Sequence, residues 1–486
     1  MKKIFKLTAF ILLITLCFTS WGCSSCKKSE RLSQYDVVAN LEGDTLTAKQ
    51  TFTFYNCYEN SFKYLKFNLF GRAFRKDAKY MPVLPQHLST SYPNGISYGD
   101  MEILACYQEG KTLTFSYVGE DQTVLQVDLL REVFPNESAI IVIEYVLKLA
   151  DVVARTGIND NTINLGNFYP ILCAYDQKGF YECNYYGIGD PFYSECADYR
   201  VRLTCAKELV VASSGKKVLE QTENDKKTTV FTIDNARSFA MVLSSKFQTI
   251  SQKVDDTDII YYYYEDASPK TSLEQAVLAV KLFNEKFGKY PYSTYSVVQT
   301  QFVQGGMEYP ALVMISDNLE SNAYGEVIVH ETAHQWWQTV VGNNEIEYGF
   351  LDEGLAEYSV VIFFEAYPKY GITRSQMIKS AEQTYKIFCS VTDKLMGKVN
   401  TVMLRNLGEF SSEYEYVNLA YIKPCIMYDI LRKTVGEERF FGALKDYYEK
   451  YSFKNATPYD IVGAFERRGA DSNGFFKGFY DGTAII

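Results

Sequence analysis

The chain holds three histidines, and two of them stand four residues apart in His330-Glu331-Thr332-Ala333-His334. On a helix this spacing puts both imidazoles on one face, one turn apart, with Glu331 beside them. Two nitrogen donors and an adjacent carboxylate are the parts of a metal-assisted hydrolysis. The imidazoles grip a zinc ion and the carboxylate takes a proton from water. With histidine this scarce, the pattern arises by chance roughly 0.002 times in a chain of this composition. The plain alternative is a core helix with two hydrogen-bonded histidines, and the segments that follow weigh against it.

Those side chains need elements to position them. Residues 326–341 contain no proline or glycine, so a helix is expected over them, with Gly342 as its stop. Val327, Trp337 and Val341 can pack while the histidines face a cleft. A catalytic zinc takes three protein ligands and keeps one position open. The third is Glu353, in Leu351-Asp352-Glu353-Gly354-Leu355, with eighteen residues between it and His334. A loop over 342–349 and a second helix over about 351–367, ending before Pro368, return Glu353 to the same ion. A carboxylate ligand leaves the metal less positive than three imidazoles would. Glu357 lies one turn beyond Glu353. It either accepts a hydrogen bond from a ligating imidazole or is a solvated helix residue.

H-E-x-x-H followed after eighteen residues by glutamate resembles the gluzincin signature of the aminopeptidase N family. Three more segments agree. Gln304-Gly305-Gly306-Met307-Glu308-Tyr309-Pro310 resembles that family's G-x-M-E-N exopeptidase motif. Tyr421-Ile422-Lys423-Pro424 resembles its Y-x-K-G segment. Phe287-Gly288-Lys289-Tyr290-Pro291-Tyr292 resembles the turn into the first strands of its catalytic domain. The similarity runs from about residue 35 to the end and is stronger in the second half.

The resemblance implies an α+β multidomain fold: a large N-terminal β domain, then a thermolysin-like zinc peptidase catalytic domain with C-terminal helices. It implies one zinc ion per chain on His330, His334 and Glu353, and hydrolysis of the first peptide bond of peptides with a free N-terminus. Glu331 is then the proton acceptor and donor, and Tyr421 the donor to the developing oxyanion. Gly305, Gly306, Met307 and Glu308 form the substrate edge. The glycines let a peptide backbone come close, and Glu308 takes its α-amine in a charge-assisted hydrogen bond. Two positions depart from the family pattern. Tyr309 replaces an asparagine and is expected to narrow the first side-chain pocket. Pro424 replaces a glycine and suits the first turn of a helix. The family's N-terminal domain adds a polar side chain near the amine, for which Asn164 and Asn167 are candidates. Larger members carry a further helical domain, so a more open cleft is expected here. A thermolysin-type zinc endopeptidase shares the zinc helices, and a non-catalytic surface binding protein would keep the fold alone. These are the two alternatives.

The N-terminus is basic through Lys6 and apolar over 7–18, which is an export signal (1–22) too short to span a bilayer. Gly22-Cys23 resembles a bacterial lipobox, with Ser20 where the pattern has leucine. Lipidation of Cys23, a polar tether over 23–34 and a cell-surface lipoprotein anchored in a membrane are therefore expected. Plain secretion and an uncleaved anchor are the alternatives. Removing residues 1–22 takes away three lysines and no acid, moving the net charge from −10 to −13. That disfavours nucleic acid as a partner. Cys173, Cys183, Cys196 and Cys205 are either disulfide-bonded or free buried thiols. His87 is expected in a loop.

Residues 35–257 read as β-rich: 47–55, 139–149, 199–212 and 227–233 carry strand patterns, broken by loops at Pro170 and 184–195. Residues 258–486 read as the catalytic domain. A helix is expected over 273–287, then short strands to Gly306 and Met314, then mostly helices, one opened by Thr457-Pro458.

Overall fold

Alternation builds the first half. In the strand Thr45–Tyr55, Leu46, Ala48, Phe52 and Phe54 turn inward while their neighbours face outward. Gln50 also points inward, and its amide donates to the Pro170 carbonyl at 3.0 Å. The computed structural model describes residues 31–484 and 486. The export signal, Cys23 and nearly all of the tether lie outside the described residues. Thr45–Tyr55 sits in an eight-stranded sheet, between Ser33–Glu42 and Ser138–Lys148. Its pairings are antiparallel except where Ser33–Glu42 runs parallel to Ala197–Ala206. A second sheet contains Phe62–Asn68 and Val124–Val133. Phe52 of the first sheet meets Phe67 of the second edge-on at 5.3 Å, so aromatic rings form the layer between them.

The second half opens with the hairpin Gln248–Val254 and Thr257–Tyr263, whose first strand lies upstream of residue 258. Thr257–Tyr263, Thr294–Thr300 and Leu312–Ser316 run parallel, and the short strand Gly306–Met307 adds antiparallel at the edge. Helices follow: α1 (Pro269–Lys286), α2 (Ser321–Ala333), α3 (Phe350–Ala366), α4 (Arg374–Met396), α5 (Lys423–Val435), α6 (Glu437–Tyr451) and α7 (Pro458–Arg467). Thr457 closes a capping box with Asp460 at the start of α7, as the Thr-Pro pair foretells. Leu32–Ile486 packs as one unit. Among the described residues no helix is long and apolar enough to cross a membrane.

The zinc-motif helix departs from the sequence reading at both ends. It starts at Ser321 and includes Gly325, where a Cβ would stand 2.3 Å from the Gln275 amide of α1. It ends at Ala333, with His334 as its C-cap, instead of running to Val341. Side chains beyond the cap are claimed by distant partners. Gln335 bonds Ala311 N and Tyr309 O, Trp336 Nε1 donates to Gly288 O, and Trp337 Nε1 donates to Ser359 Oγ. Gln338 takes a φ of +120°, and its carbonyl accepts from Arg237 Nε at 2.8 Å. Gly342 is therefore no helix stop. A Cβ there would lie 2.1 Å from the Arg237 guanidinium carbon.

The cysteine cluster is settled as thiols. Cys173, Cys183, Cys196 and Cys205 are all buried and none forms a disulfide.

Candidate active site

Helices α2 and α3 carry the donors. His330 lies in the last turn of α2 and His334 caps it, while Glu353 is in the first turn of α3. The two Nε2 atoms are 3.0 Å apart, and each is 3.2 Å from Glu353 Oε2. A tetrahedral zinc with bonds of about 2.0–2.1 Å spaces its ligands about 3.3 Å apart. The three donors therefore fit one zinc ion with no large rearrangement. The outer ring nitrogens are also fixed. His334 Nδ1 donates to Trp337 O at 3.0 Å, and His330 Nδ1 donates to Glu357 Oε2 at 3.2 Å. With the proton of the neutral ring held at Nδ1, Nε2 is the atom that can offer a lone pair to a metal. Glu357 is thus an imidazole partner and not a solvated residue.

The break at His334 produces this geometry. Because α2 stops there, the Trp337 carbonyl folds back to within reach of His334 Nδ1. The buried face of α2 is pinned by Tyr295, whose hydroxyl is 2.8 Å from Thr332 Oγ1. Gln335 holds residues 309–311 beside the helix and so sets where Glu308 stands. A carboxylate oxygen of Glu308, one of Glu331 and a nitrogen of His334 lie within 4.8 Å of one another. Gly306 and Met307 form the edge strand, with Gly305 just before it. Gly305, Gly306, Glu308, His330, Glu331 and Tyr421 share the wall of one cavity.

Tyr421 enters from a π-helical turn, Val417–Ile422, that precedes α5. Its ring stacks on His330 at 5.7 Å, and its hydroxyl donates to Glu353 Oε1 at 2.5 Å. Pro424 sits in the first turn of α5, as expected. It packs so tightly on α3 that a Cβ at Gly354 would be 2.5 Å from Pro424 Cβ. Lys423 is buried, and its ammonium donates to Thr401 O and Phe479 O, both at 2.7 Å. Burial lowers its pKa to about 8.

Charge in the cavity is shifted by burial and by neighbours. Burial, opposed by His330 and His334, raises the Glu331 carboxyl to about 7. Burial and the nearby Asp190 carboxylate push Glu308 well above the usual carboxylate range. Burial works against ionisation of Glu353, but the two histidines hold it well below that range. Burial and Glu353 push the Tyr421 phenol upward, so it stays a donor.

Two cavity residues had no place in the sequence reading. Asp190, in the loop between Gly189 and Pro191, accepts a hydrogen bond from Arg155 Nη2 and shares one with Glu353. Both line the cavity. Their signal was a lone acid in a turn of a strand-rich region, which local pattern does not separate from a solvated one. Asn164 is a structural amide: it donates to Ala154 O at 2.9 Å and Gln301 O at 3.2 Å and accepts from Thr300 Oγ1 at 2.7 Å. Asn167 lines a small cavity beside Glu308. Tyr309 does not line the cavity of the metal donors. Its ring is buried against Gly166, where a Cβ would meet the hydroxyl at 2.1 Å. His87 ends a short turn, Pro85–His87, and its Nε2 is 2.8 Å from Glu413 Oε2 at the cavity wall.

Residues 271–479 match the Peptidase family M1 domain. The match spans the metal donors, the edge strand Gly306–Met307 and Tyr421. Among curated proteins it is similar to aminopeptidase M1-D of Oryza sativa, 22% identical over 289 residues. That match covers 56% of this chain and 32% of the rice protein. It is 26% identical over 228 residues to aminopeptidase N of Lactococcus lactis, covering 42% of this chain and 25% of the other. The aligned parts span about a quarter to a third of the length of these relatives. In fold it is similar to an M1 zinc metallopeptidase from Deinococcus radiodurans, with a TM-score of 0.66 at 16% identity. That match covers 94% of this chain and 95% of the other. A mutant of that enzyme bound to a Tyr-Ser-Ala substrate aligns with a TM-score of 0.65. In fold the chain is thus similar to these structures, with a β-rich first half followed by a largely helical second half.

Proposed function

We propose that the chain is a zinc-dependent aminopeptidase, with residues 35–257 as its N-terminal domain and 258–486 as its catalytic domain. One observation carries the reading. Glu308 is held at a sheet edge in the same cavity as the His330, His334 and Glu353 donors. A carboxyl group beside the metal suits a substrate whose chain begins there with an ammonium group, whose positive charge favours the ionised carboxylate.

Zinc held by the three donors supplies a Lewis acid that polarises a peptide carbonyl and acidifies water. The chain's own residues do the rest. Glu331 Oε2 is buried and unpartnered, so it is available to accept a proton from water and return it to the leaving nitrogen. The Tyr421 hydroxyl donates to the oxygen on which negative charge builds. Glu308 takes the α-ammonium, and Gly305, Gly306 and Met307 offer a flat edge to the peptide backbone. Glu357 and the Trp337 carbonyl hold the ligating rings in one tautomer. Similarity to the rice and Lactococcus aminopeptidases supports this reading.

The basic start, the apolar run over 7–18 and Gly22-Cys23 support export and lipidation of Cys23, hence a cell-surface location with a membrane anchor. Labelled palmitate should enter the wild type and not Cys23→Ser.

The enzymatic test uses matched peptides with free and acetylated N-termini, with and without a chelator. Release of the first residue from the free peptide alone, abolished by chelation, is the expected result. Equal cleavage of the acetylated peptide overturns the exopeptidase reading and favours an endopeptidase. No cleavage of either overturns enzymatic function.

A further inference from the structure

Glu308 has a second set of neighbours away from the metal donors. One carboxylate oxygen each from Glu308, Glu345 and Asp352 lie within 4.8 Å of one another. The three residues are 4%, 3% and 2% exposed. They come from three elements: the sheet edge, the short helix Glu345–Tyr348, and the first turn of α3. Three buried acids at this spacing must be neutralised by protons, by hydrogen-bond donors or by positive charge.

The protein supplies only part of it. Asp352 accepts from Asn343 Nδ2 at 2.9 Å. The one histidine near it, His334 Nδ1 at 4.0 Å, donates to the Trp337 carbonyl instead. Glu345 accepts a hydrogen bond from Gln338, yet its Oε2 is buried with no partner, and so is Oε1 of Glu308. Among the described residues, no lysine or arginine forms a salt bridge with Glu308, Glu345 or Asp352, and Arg155 bonds Asp190 and the Gly189 carbonyl through Nη2. Two of the three clustered side chains, each at least nine-tenths buried, therefore carry an unpartnered oxygen.

We propose that Glu308, Glu345 and Asp352 hold a second cation, a hard divalent ion such as calcium or magnesium, beside the zinc donors. An oxygen-only set of three carboxylates selects such ions over zinc, whose nitrogen donors are elsewhere. The sharing of Glu308 gives the site a consequence. With one oxygen turned to this cation, its carboxylate is fixed in direction, and the other oxygen is presented to the substrate's amine. That consequence rests on the aminopeptidase reading; the binding of the cation does not.

The test uses the full zinc-loaded chain, titrated separately with Ca2+ and with Mg2+ and followed by calorimetry and thermal unfolding. The expected result is one further ion per chain with a rise in Tm. Glu345→Gln should weaken that binding by at least about tenfold while zinc content stays at one per chain. The proposal is overturned if neither ion binds the wild type or shifts its Tm. Binding of unchanged strength in Glu345→Gln overturns it too, since that ion sits elsewhere. Should the variant fail to fold, anomalous scattering from Mn2+ in wild-type crystals decides. A peak among the three carboxylates supports the site, and its absence there refutes it. An inactive peptidase would leave every one of these readouts intact.

Discussion

Gly306 lies directly over the carboxylate of Glu331: a Cβ at 306 would stand 2.2 Å from Glu331 Oε1. The missing side chain is what lets the sheet edge and the zinc helix close on each other. Gly306→Ala must push the carboxylate aside, and displacement of a reacting group by about 1 Å costs on the order of 100-fold in rate. Activity should fall by that order while zinc content is retained. Gly305 is the internal control. A Cβ there meets only Val327 Cγ2, at 3.6 Å, so Gly305→Ala should fold and leave Glu331 in place, losing only what a methyl group at the peptide edge costs. Equal effects of the two substitutions on peptide turnover would sink the steric account.

Tyr421 stacks on one metal donor and hydrogen-bonds another. If its role is donation to a developing oxyanion, Tyr421→Phe should lower kcat by about 100- to 1,000-fold, the usual cost of one such donor. KM should change little, because the substrate carbonyl gains that hydrogen bond late. Tyr416, whose ring lies 5.9 Å from Tyr421, is the competing phenol. A Tyr416→Phe variant that loses kcat as heavily as Tyr421→Phe would reassign the role.

The chemistry was legible in the sequence because it depends on residue types at short, fixed spacings. Two histidines a turn apart, a glutamate at the head of the next helix and a glycine pair before Glu308 all survive translation into geometry. The length of the zinc helix was not legible. Residues 335–341 have no local helix breaker, and helix propensity is a weak prior against tertiary contacts. The bonds that unwind them run to Gly288, Tyr309, Ala311, Ser359 and Arg237, all distant in sequence. Asp190 and Arg155 were missed for a related reason. They are 35 residues apart in the chain and meet only because a loop of the β-rich half folds into the cavity. Asn164, one of two candidates for a polar group near the substrate amine, closes hydrogen bonds to Ala154, Gln301 and Thr300. Its type said polar, but only the fold says what it bonds.

Glu357 touches a ligating imidazole through its outer nitrogen. Partners of this kind orient the ring and raise its basicity, and their removal weakens metal binding by about 10- to 100-fold. Glu357→Gln should keep part of the effect as a neutral acceptor, while Glu357→Ala should lose it fully. Competition with a zinc-selective chelator gives the two affinities. Glu413, also on the cavity wall but paired with His87, is the comparison residue, and Glu413→Gln should leave zinc affinity unchanged. An unaltered affinity in Glu357→Ala would show that the 3.2 Å contact does not tune the site.

The metal-free site should behave as a proton reservoir. Burial opposes charge on His330, but hydrogen bonds to Glu353 and Glu357 outweigh it and raise its pKa from 6.5 to about 10. Burial likewise raises the Glu331 and Asp352 carboxyls, each to about 7. All three pKa values lie above those of the unfolded chain. Their protons therefore favour the folded state at low pH, and that contribution fades as pH rises through about 7 for the acids and about 10 for His330. With chelator present, Tm should decline across this range. Zinc must displace the His330 proton to reach its nitrogen, so apparent zinc affinity should climb over the same interval. Calorimetric titration of zinc at pH 7.5, in two buffers of different ionisation enthalpy, should then reveal proton release. A zinc affinity that does not change between pH 7 and 9 would mean that His330 is already neutral in the metal-free chain, and that the Glu353 and Glu357 carboxylates do not hold its charge.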